Sequence, residues 1–233
     1  MQGERWPDYP LLYSVQGFQY CDLLLAEAER AAWQLLLNPK SEVRNPKLVQ
    51  ACRAVEQRAV QTIKIAERNN WLLDIALDHL TLGRAALYWA ILEHSSLDTC
   101  HSSLDQAVAA LRRAAQQQYL PLGLLTRAWL RFLTGVRTGR ESAQSDLDDA
   151  WDIAERGPMP LFIADIHLYR ARLFGMLNAD CGLRNEEAAY PWTSPEHDLR
   201  EARRLIEKHG YWRRKEELED AEQAFKLGKP AAG

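Results

Sequence analysis

Within eight residues, His94, Asp98, Cys100 and His101 offer imidazole, carboxylate and thiol groups, a donor set that zinc accepts. Their spacing matches no recognised metal motif. The stretch reads instead as the polar end of one helix leading to a cap at Ser103, and no metal ligand is assigned. His79 and His167 lie in apolar segments, where a histidine more often closes a hydrogen bond or lines a groove than moves a proton. Neither a GxSxG elbow nor a phosphate-cradling GxxxxGK[ST] loop occurs, and Gly228-Lys229 has no preceding strand. The expectation is a protein that is not an enzyme, with no catalytic residue and no cofactor. Asp148, Asp149 and Asp152 read as a solvated face. Arg213 to Lys215 run straight into Glu216, Glu217, Glu219 and Asp220, which reads as a solvated capping helix.

The chain has 233 residues and a net charge of −3, with 47% apolar and 26% charged residues. A buried core is within reach of that composition. The weak negative charge argues against nonspecific nucleic-acid binding, which needs a cationic field. No apolar run reaches the roughly 18 residues of a membrane span, and Met1 to Tyr9 lacks a signal-peptide pattern. The protein is therefore expected to be soluble and cytoplasmic, with no membrane partner. Cys21, Cys52, Cys100 and Cys181 form no CxxC pair and read as reduced thiols.

Strand signals are nearly absent, whereas helical spacing recurs. Leu104, Ala107, Val108, Leu111, Ala114 and Ala115 form one apolar stripe; Leu147, Ala150, Trp151 and Ala154 form another, and Leu199, Ala202, Leu205 and Ile206 a third. Starts are marked by Asn45-Pro46, Ser103 with Gln106, Thr138 with Glu141, and Ser194-Pro195. Between these one-faced helices lie Leu11 to Leu37, Trp71 to Leu92, Leu120 to Leu133 and Leu161 to Leu177, apolar on most sides. Helices of that kind must be covered on most faces. The alternation predicts stacked helical hairpins.

Register supports the repeat. Ile65-Ala66-Glu67-Arg68 recurs as Ile153-Ala154-Glu155-Arg156, 88 positions on, and loosely as Leu205-Ile206-Glu207-Lys208. Leu73, Leu122 and Leu161 align in steps of 49 and 39, which brings His79 over His167. Such drift of loop and helix length is usual in a solenoid.

Leu82-Gly83 in a buried helix, followed by Ala107 and Leu111 or by Ala143, Leu147 and Ala150, resembles the tetratricopeptide pattern. More narrowly, Tyr13 to Leu25, Trp71 to Gly83 and Asp146 to Arg156 resemble the tetratricopeptide (TPR) arrays at the carboxyl end of bacterial STAND or NACHT-type signalling ATPases. The long segment Asn38 to Asn45 and the insertion Asn178 to Glu196 depart from that pattern. The resemblance implies an all-α, right-handed α-solenoid of about four TPR-like hairpins, near 9–69, 70–117, 119–156 and 160–209. A capping helix over 211–227 and a flexible tail over 228–233 complete a single domain. It further implies a non-catalytic protein-protein interaction scaffold that binds a protein or peptide in a concave groove. The alternative is a sensor or adaptor acting in signalling on a nucleotide-binding or effector protein encoded separately; a metal-dependent enzyme at His94 to His101 is a third reading. Candidate groove residues are Arg84, Tyr88, Arg127, Arg131, His167 and Arg170, which mix cations with aromatic surface as interface anchors do. Tyr190-Pro191-Trp192, inside the insertion, reads as a latch over the last hairpin or, as the alternative, an exposed docking element.

Overall fold

The structure is a computed structural model that describes residues 14–39, 45–177 and 190–227. Among these residues every regular element is helical. In chain order they are α1 (Ser14–Leu37), α2 (Pro46–Arg68), α3 (Leu72–Leu92), α4 (Cys100–Arg113), α5 (Leu120–Leu133), α6 (Ala143–Arg156), α7 (Pro160–Arg170), α8 (Pro195–His209) and α9 (Lys215–Leu227). A π-helical segment, Ala171–Leu177, continues α7, and a 3-10 turn, Trp212–Arg214, precedes α9. Cys181, most of the insertion and the tail 228–233 lie outside the described residues.

Among the described residues each of the first eight helices packs on the next; taken two at a time in chain order they give four pairs, α1–α2 to α7–α8, with α9 last. The register read from sequence is visible in the helix ends. Ile65 to Arg68 are the last four residues of α2, and Ile153 to Arg156 are the last four of α6. The burial pattern also follows the sequence: α3, α5 and α7 are covered along most of their length, whereas α2, α4, α6 and α8 bury one stripe each. Within the second pair, the approach at Gly83 is so close that a Cβ there would fall 2.4 Å from Leu104 Cδ2.

Two helix starts differ from expectation. Ser103 lies inside α4, which begins at Cys100 after Thr99 without a side-chain cap bond. Thr138 does not begin α6; Ser142 caps it, accepting from the Ser145 amide while the Ser145 hydroxyl accepts from the Ser142 amide. Asn45 and Ser194 cap α2 and α8 as expected, accepting from the amides of Lys47 and His197. Cys21, Cys52 and Cys100 are buried free thiols, and burial pushes Cys52 up to about 12 and Cys100 up to about 11. Among the described residues, no helix is long and apolar enough to cross a membrane.

The first and last of the described helices meet. α1 packs more extensively on α3 than on α2, and it also touches the π-helical segment and α9. Its exposed side carries Arg30, which is hydrogen-bonded to Asp220 at 2.7 Å and paired with Glu216, while Gln34 donates to Asp220 at 2.9 Å.

Candidate functional site

The side on which α3, α5 and α7 present Arg84, Trp129 and Tyr169 is covered by α1. Trp33 of α1 stacks on Trp129 of α5 with centroids 3.7 Å apart, and it meets Tyr169 of α7 edge-on at 5.2 Å. Arg172, placed by the π-helical segment, lies over the other face of this aromatic group, 4.7 Å from the Trp33 centroid. Extended aromatic stacks of this kind add to the burial term.

Charges interleave with the rings. Arg84 of α3 is 1% exposed and donates to Glu29 at 3.0 Å, while its other terminal nitrogen lies 2.8 Å from Asp22; both acids are on α1. Arg214, from the 3-10 turn, bonds Glu29 and Asp165 at 2.9 Å each and also reaches Glu217. Arg172 donates to Glu217 at 3.0 Å and to its main-chain oxygen at 2.8 Å. Arg213 pairs with Asp22. Four guanidiniums thus face four carboxylates from α1, α7 and α9. Burial opposes ionisation of Asp22 and Glu217, yet Arg84 with Arg213, and Arg214 with Arg172, hold the two carboxylates below their usual range. Neutral overall, the network costs far less to bury than any of its members alone.

Five of the six residues expected to line a groove, Arg84, Tyr88, Arg127, His167 and Arg170, are buried, with Arg131 half-buried. Arg84 donates to the Tyr88 hydroxyl at 3.1 Å and spends its charge on α1. Arg127 holds Asp146 in a two-pronged bond at 2.7 and 3.0 Å and reaches Asp105 at 3.2 Å; Arg131 bonds the same Asp146 at 3.0 Å. These arginines therefore join α5 to α6 and α4. A chain laid along an open trough could not use them while those bonds last.

His167 and Arg170 belong to a second cluster at the fourth pair. His167 Nδ1 lies 2.6 Å from Asp198 of α8, whose other carboxylate oxygen accepts from Tyr190. The Arg170 guanidinium is held between two indoles, 4.5 Å from the Trp151 centroid and 4.4 Å from that of Trp192. Trp192 donates to Asp148 at 2.9 Å and packs edge-on against Phe174. Tyr190 and Trp192 thus contact α6, α7, the π-helical segment and α8. His79, matched to His167 by register, has no such partner: its Nδ1 is buried without a hydrogen bond, and burial lowers its pKa.

Cys100 points into the core, while His94 and Asp98 are exposed and Asp98 accepts from Ser96. Among the described residues, no group of three or more His, Cys, Asp or Glu side chains is placed to hold a metal ion. A cleft of about 460 Å³ opens where α1, the start of α2 and α9 converge, lined by Glu27, Arg30, Gln34, Asn45, Arg213 and Glu216 among others.

The acids on α1, together with Arg172, Arg214, Glu217 and Asp198, did not stand out in the sequence. Asp22 and Glu29 carried a usable signal, since they lie seven residues apart in register with Leu25, Ala28 and Ala32 and so share the apolar face of the helix. Arg214 carried none, standing in a run of mixed charge that reads as solvated.

No family model matches the chain, and no curated protein and no solved structure matches it.

Proposed function

We propose that this protein is a non-catalytic interaction module, a right-handed array of TPR-like hairpins whose inner side recognises protein. The observation that carries the reading is the inner surface itself, where α3, α5, α7 and the π-helical segment bring Arg84, Trp129, Tyr169 and Arg172 around one helix bearing two carboxylates and an indole. Such a surface is a helix-recognition site by its chemistry, with charge-assisted bonds for register and an aromatic anchor for affinity. Rigid pairs would hold it preformed, so binding would order little of the receptor.

A sensor or adaptor acting on a separately encoded signalling ATPase is a second reading. It is favoured by the junction of α1 with the 3-10 turn and α9, where Arg30, Glu216 and Arg213 are partly exposed. Contacts of that type are weak enough for a regulatory partner to break.

The test is affinity purification of the tagged full chain from its source cells, followed by native mass spectrometry. A partner held in constant stoichiometry by the intact chain supports the module. A chain recovered alone under all salt conditions tried contradicts it.

A further inference from the structure

The helix now seated on the inner surface specifies what that surface recognises. α1 presents Asp22, Leu25, Ala28, Glu29, Ala32 and Trp33 on one face, and all but the half-buried Asp22 are buried. Their charged and aromatic partners are Arg84 on α3, Trp129 on α5, Tyr169 on α7, Arg172 after it, and Arg213 and Arg214 before α9. None of these partners belongs to α2, the covalent neighbour. The link from α1 to α2, residues 38–45, is also long for a turn, eight residues against three between α2 and α3.

A helix held mainly by elements remote in sequence makes the same contacts whether it comes from its own chain or from another copy. Resting on the interaction-module reading, we propose that this inner surface is a receptor for an acidic amphipathic helix with the Asp22–Leu25–Glu29–Trp33 face, and that α1 of a second copy is the helix it accepts. The eight-residue link gives the resident helix an effective concentration of about millimolar. At micromolar protein the resident helix therefore prevails and the chain is a monomer. Exchange becomes visible when the resident helix is weakened or the protein is concentrated.

The experiment uses a fluorescent synthetic peptide of residues 14–37 with the native sequence. Receptors are the full chain and its Glu29→Gln and Asp22→Asn variants, the second milder because Asp22 is half-buried. The expected result is saturable binding to whichever variants fold, at least tenfold tighter than to the unaltered chain, with a rise in their melting temperature. A peptide carrying both Glu29→Gln and Trp33→Ala should bind at least tenfold more weakly. In parallel, the unaltered chain refolded at about millimolar concentration should elute as a dimer by light scattering, and excess native peptide should dissociate it. Absence of saturable binding to every folded variant overturns the proposal. Peptide binding without any dimer overturns the second copy as the occupant. A stoichiometric partner recovered from cells, with no peptide binding, rejects this inference and leaves the module reading standing.

Discussion

Asp78 is a residue through which pH acts on the fold. It accepts from Thr62 at 2.8 Å across the α2–α3 contact, with Arg58, Cys21 and Asp74 around it. Burial, reinforced by the like charge of Asp74, raises it from 3.8 to about 7. The folded chain therefore holds this proton more tightly than the unfolded chain does. Its stabilising contribution is full below about pH 4, declines as the pH rises toward 7 and is gone above it. Asp78→Asn should keep the Thr62 bond and raise stability at pH 8 by ~1 kcal/mol, with little effect at pH 4. Urea denaturation at the two pH values checks this, and equal effects at both would contradict it. Gly83 acts through space instead: Gly83→Ala drives a methyl group into Leu104 and is expected to cost ~1–3 kcal/mol, read by the shift of the urea midpoint. That glycine was legible in the sequence as part of Leu82-Gly83 in a buried helix. Asp78 was not, because a carboxylate in an apolar run gives no sign of whether its neighbours will be cations or acids.

At the level of elements, the helices were legible because apolar spacing dictates which face must be covered. Leu120–Leu133 and the common ends of α2 and α6 fall where the pattern places them. Cap positions were less legible, since Ser103 and Ser142 offer the same hydroxyl and only the path of the preceding loop decides which one meets a helix end. The use of the inner surface was the least legible. Arg84, Arg127 and Arg170 have the residue types of a recognition groove, yet their partners come from α1, α6 and the end of the insertion, which no local pattern pairs with them. The 3-10 turn before α9 illustrates the consequence. Arg214→Ala leaves Glu29, Asp165 and Glu217 short of a cation and should destabilise the protein by ~3–5 kcal/mol, measurable by chemical denaturation. Trp192→Ala removes one of the two indoles around Arg170 and the donor to Asp148. It should cost ~2 kcal/mol and loosen 190–194 toward proteolysis, checked by limited digestion against the unaltered chain.

For the whole molecule, the join between first and last helices matters most. Its outer pairs, Arg30 with Glu216 and Arg213 with Asp22, are partly exposed and are screened by salt, whereas Arg84 with Glu29 is sealed inside. High salt should therefore weaken the docking of α9 by ~1 kcal/mol while α1 stays seated. The most direct measurement of the central claim, that α1 covers the side formed by α3, α5 and α7, is amide hydrogen exchange across residues 14–37 in the intact chain. Protection at Leu25 to Trp33 equal to that at Leu77 to Tyr88, retained in high salt, is the expected result. Rapid exchange throughout α1 while α3 to α6 remain protected would contradict it.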